Sequence, residues 1–261
     1  MSNNTIPAYI AERIRRGPPE GCSIVPGSTP VIAFGPVRRA TVATLGLNPS
    51  KNEFLDSQSR ELDGPLRRLE TMRSLGIASL ADASDAAVAQ ILAGCDTYFQ
   101  RNPYRRWFDQ LQVILDPLNV SYAEGSTVHL DLVQWATDPI WRHLDAPTIS
   151  RLLHEDAGFL RQQLENERID VLLLNGRSVI NHLQWAFNMA LQPVSTNLSS
   201  GRLATEIVVG SGIGRCTIIG WSTNLQSSFG VTRELRQQLA AVVATLVADA
   251  RAHPRNGGQD G

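Results

Sequence analysis

The chain has 261 residues, 43% of them hydrophobic and 19% charged, with a formal net charge of −1. That supply of apolar residues suits one α/β domain with extensions. The balanced charge excludes a protein that gathers nucleic acid through a global basic field. The three cysteines, Cys22, Cys95 and Cys216, are scattered and form no CxxC. They argue against a disulfide framework, a zinc site or an iron–sulfur cluster, which normally takes four thiolates, and point to a reduced, cytoplasmic setting with no metal and no cofactor. No apolar run approaches the about 18 residues of a membrane span. The N-terminus lacks the charged and apolar regions of a secretory signal.

In chain order, Ala8 to Arg16 reads as a short helix broken by Gly17-Pro18-Pro19. The Gly- and Pro-rich stretch from Cys22 to Pro36 contains two short candidate strands, Ser23–Val25 and Val31–Phe34. Ala40 to Leu45 is an apolar strand that stops at Gly46 and opens into the polar turn Leu47-Asn48-Pro49-Ser50. Apolar residues at 66, 69, 72 and 75 predict a helix over Leu66 to Leu75. Asp85 to Leu92 and Trp107 to Leu115 predict two more.

Thr127 to Trp135 is the next strand, followed by a helix over Ile149 to Glu165. Asp170 to Asn175 has the continuous apolar character of a buried parallel strand, and a helix follows from Arg177 to Leu191. Residues 192–204 read as loop, then Thr205–Gly210 and Cys216–Gly220 as strands. Trp221 to Phe229 is a polar loop, and Thr232 caps a last helix to Ala252. This order predicts a three-layer α/β/α sandwich with a mainly parallel central sheet. It is read as a single domain over 1–252, with 1–39 as an extension packing on it and 253–261 as a disordered tail.

In such sheets chemistry sits where strands end. Four motifs at those places resemble the uracil-DNA glycosylase superfamily. Gly46-Leu47-Asn48-Pro49-Ser50 is similar to its first motif, in the Asn form of the mismatch-specific and single-strand-selective branches. Val128 to Pro139, with Asp131, is similar to the strand bearing the base-reading residue. Asp170 to Ser178 is similar to the hydrophobic strand before a Gly and a helix, and Gly220 to Ser227 stands at the second motif. Together these cover about residues 40 to 245, most of the chain. Two departures stand out: Trp221-Ser222 replaces His-Pro, and Asp131 replaces Asn.

The resemblance implies a monofunctional DNA glycosylase. It would act on double-stranded DNA, flip a base out and hydrolyse its N-glycosidic bond to leave an abasic site. Asn48 would hold the attacking water, with Phe54 under the flipped ring. Leu225 would be the apolar wedge filling the gap, and Gln226, Ser227 and Arg177 would contact DNA. With no His at the second motif, either Asn224 or Gln226 would donate to O2 of the leaving base.

Asp131 changes the expected substrate. An ionised carboxylate only accepts hydrogen bonds, so it suits the N4 amino group of cytosine and repels O4 of uracil. Ser50 is small where the uracil-specific branch has Tyr, which leaves the C5 side open. The expected base is therefore a C5-modified cytosine of the kind found in some viral genomes, which suggests antiviral defence. The alternatives are a uracil or mismatch repair glycosylase, and an inactive DNA-binding or sensing protein of the same fold. No protein partner is evident. The histidines show no metal spacing, and the phosphate-loop, dinucleotide and nucleophile-elbow motifs are missing from the relevant places.

Overall fold

The computed structural model describes residues 5–200, 203–226 and 230–253. The helices are α1 (Ala8–Arg15), α2 (Met72–Leu75), α3 (Asp85–Asp96), α4 (Arg105–Leu115), α5 (Ala146–Asn166), α6 (Arg177–Phe187) and α7 (Arg233–Ala252). The strands are β1 (Val42–Gly46), β2 (Thr127–Asp131), β3 (Val171–Asn175), β4 (Gln192–Ser200), β5 (Leu203–Ile213) and β6 (Cys216–Trp221). The chain groups into two compact units. The first comprises residues 1–36, 47–103 and 130–162, and the second 37–46, 104–129 and 163–261.

The second unit is built on a mixed α/β sheet of order β2-β1-β3-β6-β5-β4. Its middle is parallel: Val42 pairs with Val171 and Leu45 with Leu174, while Val171 pairs with Thr217 and Asn175 with Trp221. Every residue of β1 and β3 is buried, which explains their unbroken apolar runs. β5 and β4 continue the sheet antiparallel from β6. Alternate residues of β6 face opposite ways. A Cβ on Gly220 would meet Ile180 of α6, whereas Thr217 and Ile219 line a cavity with Leu246 and Ala250 of α7. Helices therefore cover both faces. Thr232 caps α7 by accepting from the Leu235 amide.

The first unit is mostly helices and extended segments. α1 buries Ile10, Arg13 and Ile14 and packs on α3. Ser84 caps α3 by accepting from the Ala87 amide. Segment 133–138 runs between two others by backbone bonds. The Val133 amide donates to Leu47 O (2.9 Å), Val31 to Gln134 O (2.8 Å), Val25 to Ala136 O (2.9 Å) and Asp138 to Ser23 O (2.9 Å).

Several elements differ from the sequence reading. Ser23–Val25 and Val31–Phe34 form no strand; Ile24 makes only an isolated bridge with Thr137, because Pro26 and Pro30 interrupt the row of donors. Leu66–Leu75 is not one helix. Pro65 sits in a tight turn over Gly64–Leu66, and Thr71 starts α2 afresh with a reciprocal cap to Ser74. β2 stops at Asp131 rather than Trp135, and α6 at Phe187. Residues 192–200, read as loop, form edge strand β4, whose polar composition and Pro193 an edge tolerates. His253 caps α7, and the rest of the expected tail lies outside the described residues. No helix among the described residues is long and apolar enough to cross a membrane.

Gly214 turns between β5 and β6 with φ +55°, and a Cβ there would stand 2.4 Å from the Leu164 carbonyl oxygen. Both the left-handed backbone and the backbone clash oppose a side chain. Gly214→Ala is expected to lower unfolding stability by about 1–3 kcal/mol, read as a drop in the thermal midpoint of the full chain.

Candidate functional site

Of the residues singled out in the sequence, Asn48, Ser50, Phe54 and Asp131 belong to the first unit, and Arg177, Asn224, Leu225 and Gln226 to the second. Ser227 lies outside the described residues.

In the first unit, the loop after β1 is anchored to the loop after β2. The Asn48 amide nitrogen donates to the Trp135 carbonyl and to the Thr137 hydroxyl, each at 3.1 Å. Both amide hydrogens are thus spent. The side chain is held in one orientation, and its carbonyl oxygen has no partner among the described residues. Ser50 accepts from the Asn52 amide at 3.2 Å and caps the tight turn Lys51–Glu53. Lys51 pairs with Asp138 at 2.9 Å, a second tie between the two loops.

Asp131 ends β2 and is 5% exposed. Its backbone carbonyl accepts from Gln134 Nε2 at 2.9 Å. Gln134 in turn is clamped: its Oε1 accepts from Arg13 Nε (3.1 Å), and its amide donates to Asp156 Oδ2 (3.0 Å). Asp156 also accepts from Arg13 at 2.9 Å, both side chains being buried, and from Arg16 at 3.3 Å. The Arg13 guanidinium lies over the Trp135 ring, 5.1 Å from its centroid. Burial pulls Arg13 down to about 10 and pushes Asp156 up, while their mutual attraction opposes both shifts.

Sequence reasoning missed Glu53. It sits five positions past Asn48, is 3% exposed, and its Oε2 accepts the Tyr98 hydroxyl at 2.7 Å. Burial raises its carboxyl to about 7; the nearby Asp131 charge adds to this, while the Tyr98 hydrogen bond and the Arg68 cation oppose it. Arg68 itself donates to Asn52 O at 2.7 Å, bracing the turn that carries Glu53. A carboxyl that titrates near neutrality is a common mark of acid–base chemistry. In sequence it was one more charge in a polar stretch, and burial is not visible there.

In the second unit, Asn175 is the organising side chain. Its Oδ1 accepts from Trp221 Nε1 (2.9 Å) and the Leu225 amide (3.0 Å). Its Nδ2 donates to Asn224 Oδ1 (3.0 Å) and Gln226 Oε1 (2.8 Å). Gly176 follows with φ +103°, and a Cβ there would press on Asn224 at 3.2 Å. Asn224 is exposed; its Oδ1 also accepts from the Gln226 amide, which leaves Nδ2 as its outward donor.

Two residues with expected roles at the base are buried. Phe54 is 1% exposed and Leu225 0%. Both side chains are enclosed by protein in this structure. Gln226 is also a strut, since Nε2 donates to Trp107 O at 3.3 Å while Oε1 is held by Asn175. Arg177 is exposed but pairs with Glu206 at 2.9 Å. Arg67 and Arg101 both pair with Glu70. Among the described residues no group of three or more His, Cys, Asp or Glu is arranged to hold a metal ion.

No protein-family model matches the chain, and a search of curated proteins finds no match.

Two measurements probe the first unit. Asp156→Ala strands the Arg13 guanidinium in the interior and is expected to cost about 3–5 kcal/mol, measured by denaturant unfolding. Glu53 has a folded value of about 7 against 4.5 for an ordinary glutamate. The folded state therefore holds the proton more tightly, and stability falls as pH rises from about 4.5 to about 7, by up to about 3 kcal/mol. Glu53→Gln is expected to flatten that fall in a series of thermal midpoints from pH 5 to 8.

Proposed function

We propose that the chain is a monofunctional DNA glycosylase that hydrolyses the N-glycosidic bond of a flipped cytosine bearing a C5 substituent and leaves an abasic site. The observation that carries this reading is the fixed Asn48 amide. Its two hydrogens are spent on Trp135 and Thr137, so its carbonyl oxygen is held ready to accept from a water. The group lies at the end of a parallel strand, where sites of open α/β sheets are found. The four motifs that resemble the uracil-DNA glycosylase superfamily and the helices on both sheet faces support the same reading.

Hydrolysis proceeds through a cationic sugar. The water lodged on Asn48 adds to C1′ as the base departs. Asp131, an acceptor that is 5% exposed, binds the N4 amino group of cytosine and disfavours uracil, whose O4 would face a carboxylate. Ser50, with its side chain turned to cap its own loop, leaves the C5 side unencumbered. Asn224 Nδ2 supplies an outward donor for a DNA contact.

A second reading, a DNA-binding or sensing protein without base release, draws on Trp221. That residue stands where the resemblance places a catalytic His, is fully buried, and spends its N–H on Asn175.

The test is base release from duplexes carrying uracil, a thymine mismatch, 5-methyl-, 5-hydroxymethyl- or glucosylated cytosine. Abasic sites are expected on a C5-substituted cytosine. Asn48→Ala is expected to lower that rate about a hundredfold, because the water loses its seat. Asp131→Asn is expected to lose about tenfold or more on cytosine while gaining uracil release, since an amide can donate to O4. Release of uracil alone by the wild type would sink the cytosine assignment, and binding without release would favour the sensing reading.

A further inference from the structure

Removing cytosine is harder than removing uracil. The uracil anion spreads its charge over an imide, whereas a cytosine anion is more basic and leaves poorly unless it takes up a proton. The position where the resemblance expects a histidine donor cannot provide one here. Trp221 is fully buried, and its only N–H donates to Asn175. Asn48 has no proton to give to a departing base, because both amide hydrogens are engaged.

The first unit does contain a suitable donor. Glu53 lies on the turn immediately after Asn48, on the loop that Lys51 and Asn48 tie to the loop following Asp131. One oxygen of its carboxyl, Oε2, receives the Tyr98 hydroxyl, so the proton belongs on Oε1, which has no partner among the described residues. The charged groups that act on it are Asp131 at the end of β2 and Arg68 from the segment after the Gly64–Leu66 turn, and Tyr98 is its hydrogen-bonding neighbour. Enclosure by protein is the main cause that keeps the proton on Glu53, and the Asp131 charge acts in the same direction. On the cytosine edge, N3 is adjacent to the N4 amino group that Asp131 binds, and N3 is the acceptor that a protonated carboxyl fits.

We propose that Glu53 is the general acid of base excision, delivering its carboxyl proton to N3 of the flipped cytosine-class base as the glycosidic bond breaks. The assignment rests on the glycosylase reading above. In the step, the C1′–N1 bond breaks and its electron pair stays with the base. The Glu53 proton moves to N3, so the base leaves neutral. The oxygen of water bonds to C1′, and the proton it sheds returns to the Glu53 carboxylate, restoring the acid for the next turnover.

A general acid and a general base at this position give opposite pH profiles. The experiment is single-turnover release of 5-hydroxymethylcytosine from a duplex by the full chain between pH 5.5 and 9. For the wild type, the rate is expected to be level below about pH 7, the value to which burial raises Glu53. Above it the rate falls about tenfold per pH unit. Glu53→Gln is expected to be at least about a hundredfold slower and to lose that inflection, while Glu53→Asp recovers part of the rate with an inflection.

Tyr98→Phe keeps the acid but removes a hydrogen bond that favours its ionised form, so its inflection is expected to move to higher pH. A role in folding alone would not shift it, and this variant decides the matter if Glu53→Gln does not fold. A wild-type rate in folded Glu53→Gln, a rate that rises through pH 7, or an unmoved inflection in Tyr98→Phe overturns the assignment and leaves the glycosylase reading standing. No release from any of the duplexes by the wild type overturns both.

Discussion

The arrangement of the first unit depends on one desolvated carboxylate. Asp156 is 1% exposed and holds the Arg13 guanidinium, the Gln134 amide and, less tightly, Arg16. Burying such a pair is costly, and well-packed apolar residues often serve stability equally well. What apolar side chains cannot do is fix the direction of a backbone segment. Through Gln134 the clamp reaches the Asp131 carbonyl, and the next residue, Trp135, presents the carbonyl that orients Asn48. The chain of bonds therefore runs from a buried charge, through a stretch with no regular secondary structure, to the one amide whose orientation the proposed chemistry needs.

The second unit solves a similar problem with a neutral group. Asn175 uses two acceptor sites and two donors, so no capacity is wasted in a part-buried place. Aspartate could not donate to Asn224 and Gln226, and leucine could not meet the Leu225 amide. The same side chain holds the Trp221 indole N–H and the Leu225 backbone amide, and both residues are buried.

This explains what was legible in the sequence. β1, β3 and β6 announced themselves as apolar runs because strands buried on both faces have no polar phase, and α7 carried its cap on its sleeve at Thr232. β4 did not, because its residues are polar and it exists only through pairing with β5. The Leu66–Leu75 periodicity was real but was overridden by Pro65 and by the fresh cap at Thr71. The places of Asn48 and Asp131 at strand ends were readable from the apolar runs that precede them. Glu53 was not, since its character comes from enclosure beside Tyr98, and the burial of Phe54 and Leu225 was not legible for the same reason: exposure is a property of the folded surroundings.

The charge distribution bears on how such a protein would engage a polyanion. Nonspecific affinity for DNA grows with the number of phosphates neutralised by Lys and Arg. Here the net charge is −1, and Arg67, Arg73, Arg101 and Arg177 are each committed to a carboxylate of the protein. On the glycosylase reading, recognition then leans on hydrogen bonds to the extruded base more than on phosphate contacts. An ionised Glu53 would add to the repulsion at that place. A Glu53 that keeps its proton until about pH 7 carries no charge below it, so the burial that raises it also lightens the negative charge met by the incoming strand.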